Sequence, residues 1–201
     1  MGQPTIANPI GYEIADPPLF TNSDNPDCPV YSTNLIQARC RYSDASLLLA
    51  TYDIAPAWHG TIASTYINTI TINDTYSITN TTTIVGAGWP IRKVGRTTGT
   101  TAGSVRRICA DVAHSRLTSW EDAFLLCQGE TADLVMGGGD SGGPVYADDI
   151  WGSGWGYHNP VALQGILWGR GYYNSFYYYS LFPHIDDELS AVTGFRLRAR
   201  M

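Results

Sequence analysis

From Asp44 to Tyr179 the chain is a succession of short β-type runs punctuated by glycine, asparagine and proline, and no fold built on long helices tolerates that punctuation. The runs are Leu47 to Tyr52, Tyr66 to Ile72, Thr81 to Val85, Lys93 to Val94, Thr101 to Cys109, Phe124 to Cys127, Pro144 to Tyr146, Val161 to Trp168 and Tyr172 to Tyr179. Alternation in Ile70-Thr71-Ile72 predicts a strand with one buried face. Strands so closely spaced imply an all-β body, a barrel or a sandwich. The aromatic stretch Tyr172, Tyr173, Phe176, Tyr177, Tyr178 and Tyr179 reads as half-buried strand residues. One helix is expected at the end. Pro183 suits its first position, Asp186, Asp187 and Glu188 favour an N-terminal turn, Gly194 stops it, and Ile185, Leu189 and Val192 form its apolar stripe. Residues 1 to 30 are rich in proline, asparagine and aspartate, which is turn chemistry, with a short extended piece at Ile10 to Ile14.

The charge balance excludes some partners. The net charge is -6 and Lys93 is the single lysine, so no basic face exists to neutralise phosphates, and no nucleic acid is expected. Arg196, Arg198 and Arg200 decorate a solvated end. The apolar runs, Leu47 to Ala50 among the longest, fall far short of the roughly 20 residues a bilayer requires, so no membrane association is expected. Cys28, Cys40, Cys109 and Cys127 allow three connectivities, of which the pairing of sequence neighbours is the simplest. Their spacing lacks the paired motifs of a zinc ribbon and His59, His114, His158 and His184 stand singly, so no metal is expected. Two disulfides imply an oxidising, secreted or extracellular setting. Asn73 and Asn80 each open an Asn-x-Thr acceptor triplet. Because Met1-Gly2-Gln3-Pro4 does not resemble a leader, a front segment is expected to be missing.

Chemistry concentrates in Gly137-Gly138-Gly139-Asp140-Ser141-Gly142-Gly143-Pro144. Glycines packed this densely let the backbone curl around an exposed hydroxyl, so that the N–H groups of Gly139 and Ser141 converge as an oxyanion hole. This string resembles the surroundings of the nucleophile in chymotrypsin-like (trypsin-like, S1) serine proteases of bacterial type. Arg41 to Leu48 is similar to the segment bearing the family's triad acid, and Lys93 to Gly99 to the entry into its second barrel. The resemblance implies two six-stranded β-barrels plus a C-terminal helix, with the first barrel incomplete here. Residues 1–88 would hold the remainder of that barrel, 89–182 the barrel carrying the nucleophile, and 183–201 the helix and tail.

By the same resemblance Ser141 is the nucleophile and Asp44 the acid that orients a histidine. Asp140, buried, requires a cation, and Arg96 is expected to supply it and so to support the oxyanion loop. Val135 would set the pocket floor, arguing for apolar rather than basic substrate side chains, and Trp168 and Gly169 would form the edge strand that pairs with substrate backbone. The implied partners are a polypeptide substrate or a protein inhibitor, met by a monomer. No cofactor is implied, since acyl transfer through serine needs none.

The departure is the histidine. The family's chain order is His, Asp, Ser, yet no histidine precedes Asp44, so the base is expected upstream of Met1. Two other expectations compete with an endopeptidase: a catalytically inactive homologue serving as a secreted binding module, and an aromatic carbohydrate-binding domain, which leaves the glycine-serine string unexplained. A hydroxyl without its base is a poor nucleophile. The chain by itself is therefore expected to cleave a generic peptide ester at no more than about 1,000-fold to 10,000-fold over water. Steady-state kinetics showing undiminished turnover, abolished by Ser141→Ala, would contradict this.

Overall fold

In the computed structural model the described residues are 11–29, 38–50, 60–82, 84–113, 123–149, 159–170 and 176–197. They contain eleven strands and one helix. The strands are β1 (Gly11–Ala15), β2 (Arg39–Arg41), β3 (Leu47–Ala50), β4 (Thr61–Thr65), β5 (Ile72–Asn80), β6 (Pro90–Gly95), β7 (Gly99–Ala113), β8 (Ala123–Thr131), β9 (Pro144–Asp148), β10 (Pro160–Arg170) and β11 (Tyr177–Leu181), and α1 covers Phe182–Thr193.

Six strands close a ring. β6 pairs with β7, β7 with β8, β8 with β11, β11 with β10, β10 with β9, and β9 returns to β6, all antiparallel. Closure needs strong strand curvature, and register shifts on β10 between Leu163 and Gly165 and between Leu167 and Gly169 provide it. The ring's interior is filled by inward-facing residues including Ile91, Val105, Leu134, Val145, Leu167 and Tyr179, all 1% exposed or less. A second group, in which Trp168 packs with Ala110, Val112, Leu125 and Tyr178, lies beside it.

The described residues before Pro90 attach to this ring and form no second one. The β4–β5 hairpin joins through a parallel pairing of β5 with β10, burying Ile62 against Tyr146, Val161 and Leu163. β2 pairs with β8, so residues assigned from sequence to the N-terminal unit share the ring's sheet. β1 and β3 form a separate two-stranded ribbon, and Ala15 of that ribbon packs on Ile185 and Leu189 of α1. Both neighbour disulfides are formed, Cys28–Cys40 and Cys109–Cys127, and the second ties β7 to β8. Among the described residues no helix is long and apolar enough to cross a membrane.

Several expectations are corrected. Tyr66 to Thr71 is not a strand but the tip of the β4–β5 hairpin, and only Ile72 of the expected run belongs to β5, because Asn68 takes a left-handed φ of 58° and donates its N–H to the Thr100 carbonyl at 2.9 Å. Ile70, on the tip, and Ile72, which opens β5, are 65% and 59% exposed, so the expected buried face is not formed. Thr81 to Val85 is not a strand either in its described residues. Asn80 Oδ1 accepts the Thr82 N–H at 2.9 Å, and Val85 N–H goes to the Gln164 side chain. In α1, Pro183 and the left-handed Gly194 cap act as expected, but no acidic residue falls in the first turn. Asp186 and Asp187 bind Arg196 instead, and Val192 is exposed while Ile185 and Leu189 are buried. Asn73 is exposed and Asn80 half-buried. The segment 51–59 and residues Tyr172 and Tyr173 lie outside the described residues.

Burial separates two isoleucines of equal apolar content. Ile91→Ala, which empties a space in the ring, should cost about 2–5 kcal/mol. Ile70→Thr, on the hairpin tip, should change stability by no more than about 0.5 kcal/mol. Urea unfolding followed by tryptophan fluorescence measures both.

Candidate active site

The local architecture at Ser141 begins one residue earlier. Asp140 is 0% exposed and its carboxylate takes five donors. Oδ2 accepts from Lys93 Nζ at 2.8 Å, Thr98 Oγ1 at 2.7 Å and Gly137 N at 2.9 Å, while Oδ1 accepts from Thr97 N at 2.7 Å and Thr98 N at 3.1 Å. Lys93 is also 0% exposed, and its remaining donors reach the Gly99 carbonyl at 3.1 Å and the Thr98 hydroxyl. Burial alone would push the Asp140 carboxyl up. The Lys93 ammonium and the N–H of Gly137, with the Thr98 hydroxyl and the Thr97 N–H, outweigh it and hold the group well below the usual carboxylate range.

Anchored this way, the loop from Gly137 to Gly143 makes two tight turns, Asp140 N to Gly137 O and Gly143 N to Asp140 O, both 3.0 Å. It is stitched to β10 by Gly142 N to Leu167 O at 2.7 Å and Leu167 N to Gly143 O at 2.9 Å. Two glycines are obligatory. Gly139 has φ of 97°, and a Cβ there would meet the Arg96 guanidinium at 2.4 Å. A Cβ on Gly143 would stand 2.4 Å from the Val94 carbonyl oxygen. Ser141 is exposed at the crest, and its hydroxyl donates to the Trp168 carbonyl at 3.0 Å. Among the described residues the N–H groups of Gly139 and Ser141 have no acceptor.

A cleft of about 410 Å³ opens at this serine, bounded by Ala63, Thr65, Ile70 and Ile72 of the β4–β5 hairpin, by Val94 to Arg96 at the end of β6, and by Gly139 to Gly143. A larger hollow of about 680 Å³ lies over β4, β5 and β9. Its Asp148 is paired with Arg92 at 2.5 Å and its Asp74 accepts from Asn159 at 3.3 Å. It has nothing like the loop at Ser141.

The remaining expected site residues are distributed differently. Arg96 is exposed and does not reach Asp140. The buried cation is Lys93, because β6 turns Ile91 and Lys93 inward together. Asp44 does not meet Ser141. Its carboxylate pairs with Arg41, and its N–H donates to Ser180 Oγ at 2.8 Å. The adjoining Tyr42 and Ser43 are held by Glu188 of α1, which draws this segment to the helix side. Val135 is 55% exposed, its carbonyl taking the Thr101 hydroxyl at 2.8 Å, and an exposed valine is no pocket floor. Trp168 turns its indole into the core, stacked on Tyr178 with centroids 5.6 Å apart. Only its backbone faces the serine, while the following Gly169 is half-buried.

Gln128, wholly buried, organises this rear wall. Its Oε1 accepts from Trp168 Nε1 at 2.9 Å and Ser180 Oγ at 3.0 Å, and its Nε2 donates to the Tyr42 and Leu126 carbonyls at 2.7 and 2.6 Å. Neither Lys93 nor Gln128 was among the sequence candidates. Lys93 had a signal, a lone lysine two residues after Ile91 in an alternating strand, whereas Gln128 had none. His184 stacks on Tyr42 at 5.0 Å, and burial lowers its basicity against the opposing pull of Glu188 and Asp187. His59, His114 and His158 lie outside the described residues.

No protein-family model and no curated protein matches the chain. Solved structures do match. Cellulomonas bogoriensis chymotrypsin superposes with a TM-score of 0.54 at 14% identity, covering 95% of this chain and 90% of that one. Thermobifida fusca protease A gives 0.52 at 18% identity, covering 78% and 68%, and Nocardiopsis protease 0.51 at 16%, covering 74% and 66%. The fold is thus the all-β, chymotrypsin-like barrel fold expected from the sequence.

Lys93→Met strands a buried carboxylate and should cost about 3–5 kcal/mol, whereas Arg96→Gln should cost no more than about 0.5 kcal/mol; denaturant midpoints decide between the two cations. The depressed acidity of Asp140 has a sign. Its contribution to stability is complete above the unfolded-state value near pH 4 and is lost as the pH falls toward the depressed folded value, so Asp140→Asn should flatten the acid limb of a stability-versus-pH curve recorded below about pH 4.

Proposed function

We propose that this chain is a serine endopeptidase acting outside the cell, in which the Ser141 hydroxyl attacks the carbonyl carbon of a polypeptide substrate. The serine Oγ bonds to that carbon, its proton leaves to a base, and the carbonyl oxygen becomes an oxyanion. Collapse expels the amine fragment with a proton and leaves an acyl group on Ser141, which water then removes. The N–H groups of Gly139 and Ser141 are suited to receive the oxyanion, a contribution worth about 100-fold to 1,000-fold in rate per donor. The carrying observation is the exposed hydroxyl on a loop pinned by buried Asp140, with both those amides lacking an acceptor among the described residues. Secretion fits the two disulfides, and a peptidase substrate fits the serine-protease structures that share the fold.

The base is an imidazole outside the described residues, since His184 is engaged with Tyr42 on α1. Asp44, expected from sequence as its orienting acid, would have to leave Arg41 to serve. A second reading is favoured by that same contact and by the Ser141 hydroxyl resting on the Trp168 carbonyl: a non-catalytic homologue that binds polypeptide in the same cleft.

A fluorophosphonate separates the two, because it phosphonylates only an activated serine, with loss of fluoride. Mass spectrometry of the intact protein should show one adduct, mapped to Ser141 and absent from Ser141→Ala. A folded protein that stays unmodified under conditions that saturate an active serine protease would decide for the binding module.

A further inference from the structure

Arg96 stands at the lip of the Ser141 cleft with a charge that nothing described cancels. Its guanidinium lies against the Cα of Gly139, exposed, and no described carboxylate pairs with it. The nearest anion along the loop, Asp140, is sealed inside and already matched by Lys93. The other cation of β6, Arg92, is spent on Asp148. In a chain of net charge -6, this mouth is locally positive.

The cleft beneath it is apolar. Ala63 and Val94 form its walls, and Ile70 and Ile72, more than half exposed, overhang it from the hairpin. Exposed apolar side chains gathered at a concave site mark a surface that a partner covers. At about 410 Å³ the space takes one or two side chains. Trp168 and Gly169, the edge expected to pair with substrate backbone, do not line it, so it is open to the part of the substrate beyond that edge, the half that departs.

We propose that this cleft is a specificity subsite for the leaving side of a polypeptide, receiving an apolar side chain under Ile70 and Ile72, with Arg96 binding the carboxylate of an acidic residue next to it. Guanidinium matches carboxylate through two parallel N–H···O bonds, which a neutral or basic residue cannot supply. The assignment to the leaving side rests on Ser141 being the attacking group; the pairing of an apolar pocket with a carboxylate-binding arginine does not.

The test is equilibrium binding to the full chain carrying Ser141→Ala. Three fluorescein-labelled peptides, acetyl-capped and amide-terminated, share a leucine and differ only in the next residue: Glu, Gln or Lys. Fluorescence anisotropy should rank Glu above Gln by about 3-fold to 5-fold, the span an exposed ion pair supports, and Lys last. Arg96→Gln should erase the difference, Arg96→Glu should reverse it in favour of Lys, and 0.5 M salt should shrink it, as about 4 Å of Debye screening demands. Equal affinities for the three peptides, a Glu preference that survives Arg96→Gln, or no binding of any peptide at millimolar concentration would overturn the proposal. Because the nucleophile is absent from the protein tested, the outcome is independent of fluorophosphonate labelling. A charge preference without labelling condemns the peptidase and the leaving-side assignment but keeps the apolar pocket with its carboxylate-binding arginine; labelling without a preference keeps the peptidase and overturns that pocket.

Discussion

The ion pair between Lys93 and Asp140 is the contact on which the rest of the site depends. Both side chains are wholly buried, so each is tolerable only because the other is present and because further donors complete the carboxylate. Five donors from three separated stretches, Lys93, Thr97 with Thr98, and Gly137, converge on one group. Moving any of those stretches would strand a charge in the interior. The loop bearing Ser141 therefore has one stable position, set by β6 of the closed ring.

That arrangement also explains why Arg96 is available. Sequence reasoning assigned Asp140 to the arginine because a buried acid needs a cation and because the resemblance to bacterial-type proteases implied an internal arginine near position 96. Strand geometry decided otherwise. Residues 91 and 93 share the inward face of β6, and a lysine there is delivered to the acid from inside the barrel, whereas Arg96 lies past the strand's end. One buried ammonium thus leaves an exposed guanidinium beside Gly139.

Much of the fold was legible from local signals. Turn residues bounding short β runs, Pro183 and Gly194 at the ends of the helix, and the neighbouring cysteines each act over a few residues, and the structure follows them. The failures lie where a tertiary contact overrides a local pattern. Tyr66 to Ile72 has strand composition, but one hydrogen bond from Asn68 to Thr100 turns all of it before Ile72 into a hairpin tip. Asp44 sits in a suggestive motif, yet Arg41 takes its carboxylate and Glu188 its neighbours. Within the site, Gly139, Asp140 and Ser141 were readable because glycine density is a backbone property written directly in the chain. Gln128 was not, since its role comes from four partners spread between Tyr42 and Ser180.

The seclusion of Lys93 reaches beyond the cleft. It is the chain's only lysine, and its nitrogen is enclosed on every side. The folded molecule accordingly offers no side-chain amine to acylating dyes, to amine-directed cross-linkers or to enzymes that append modifiers to lysine. A lysyl endopeptidase would find its one cleavage point out of reach until the barrel opens, so the first cut by such an enzyme reports unfolding of the ring itself.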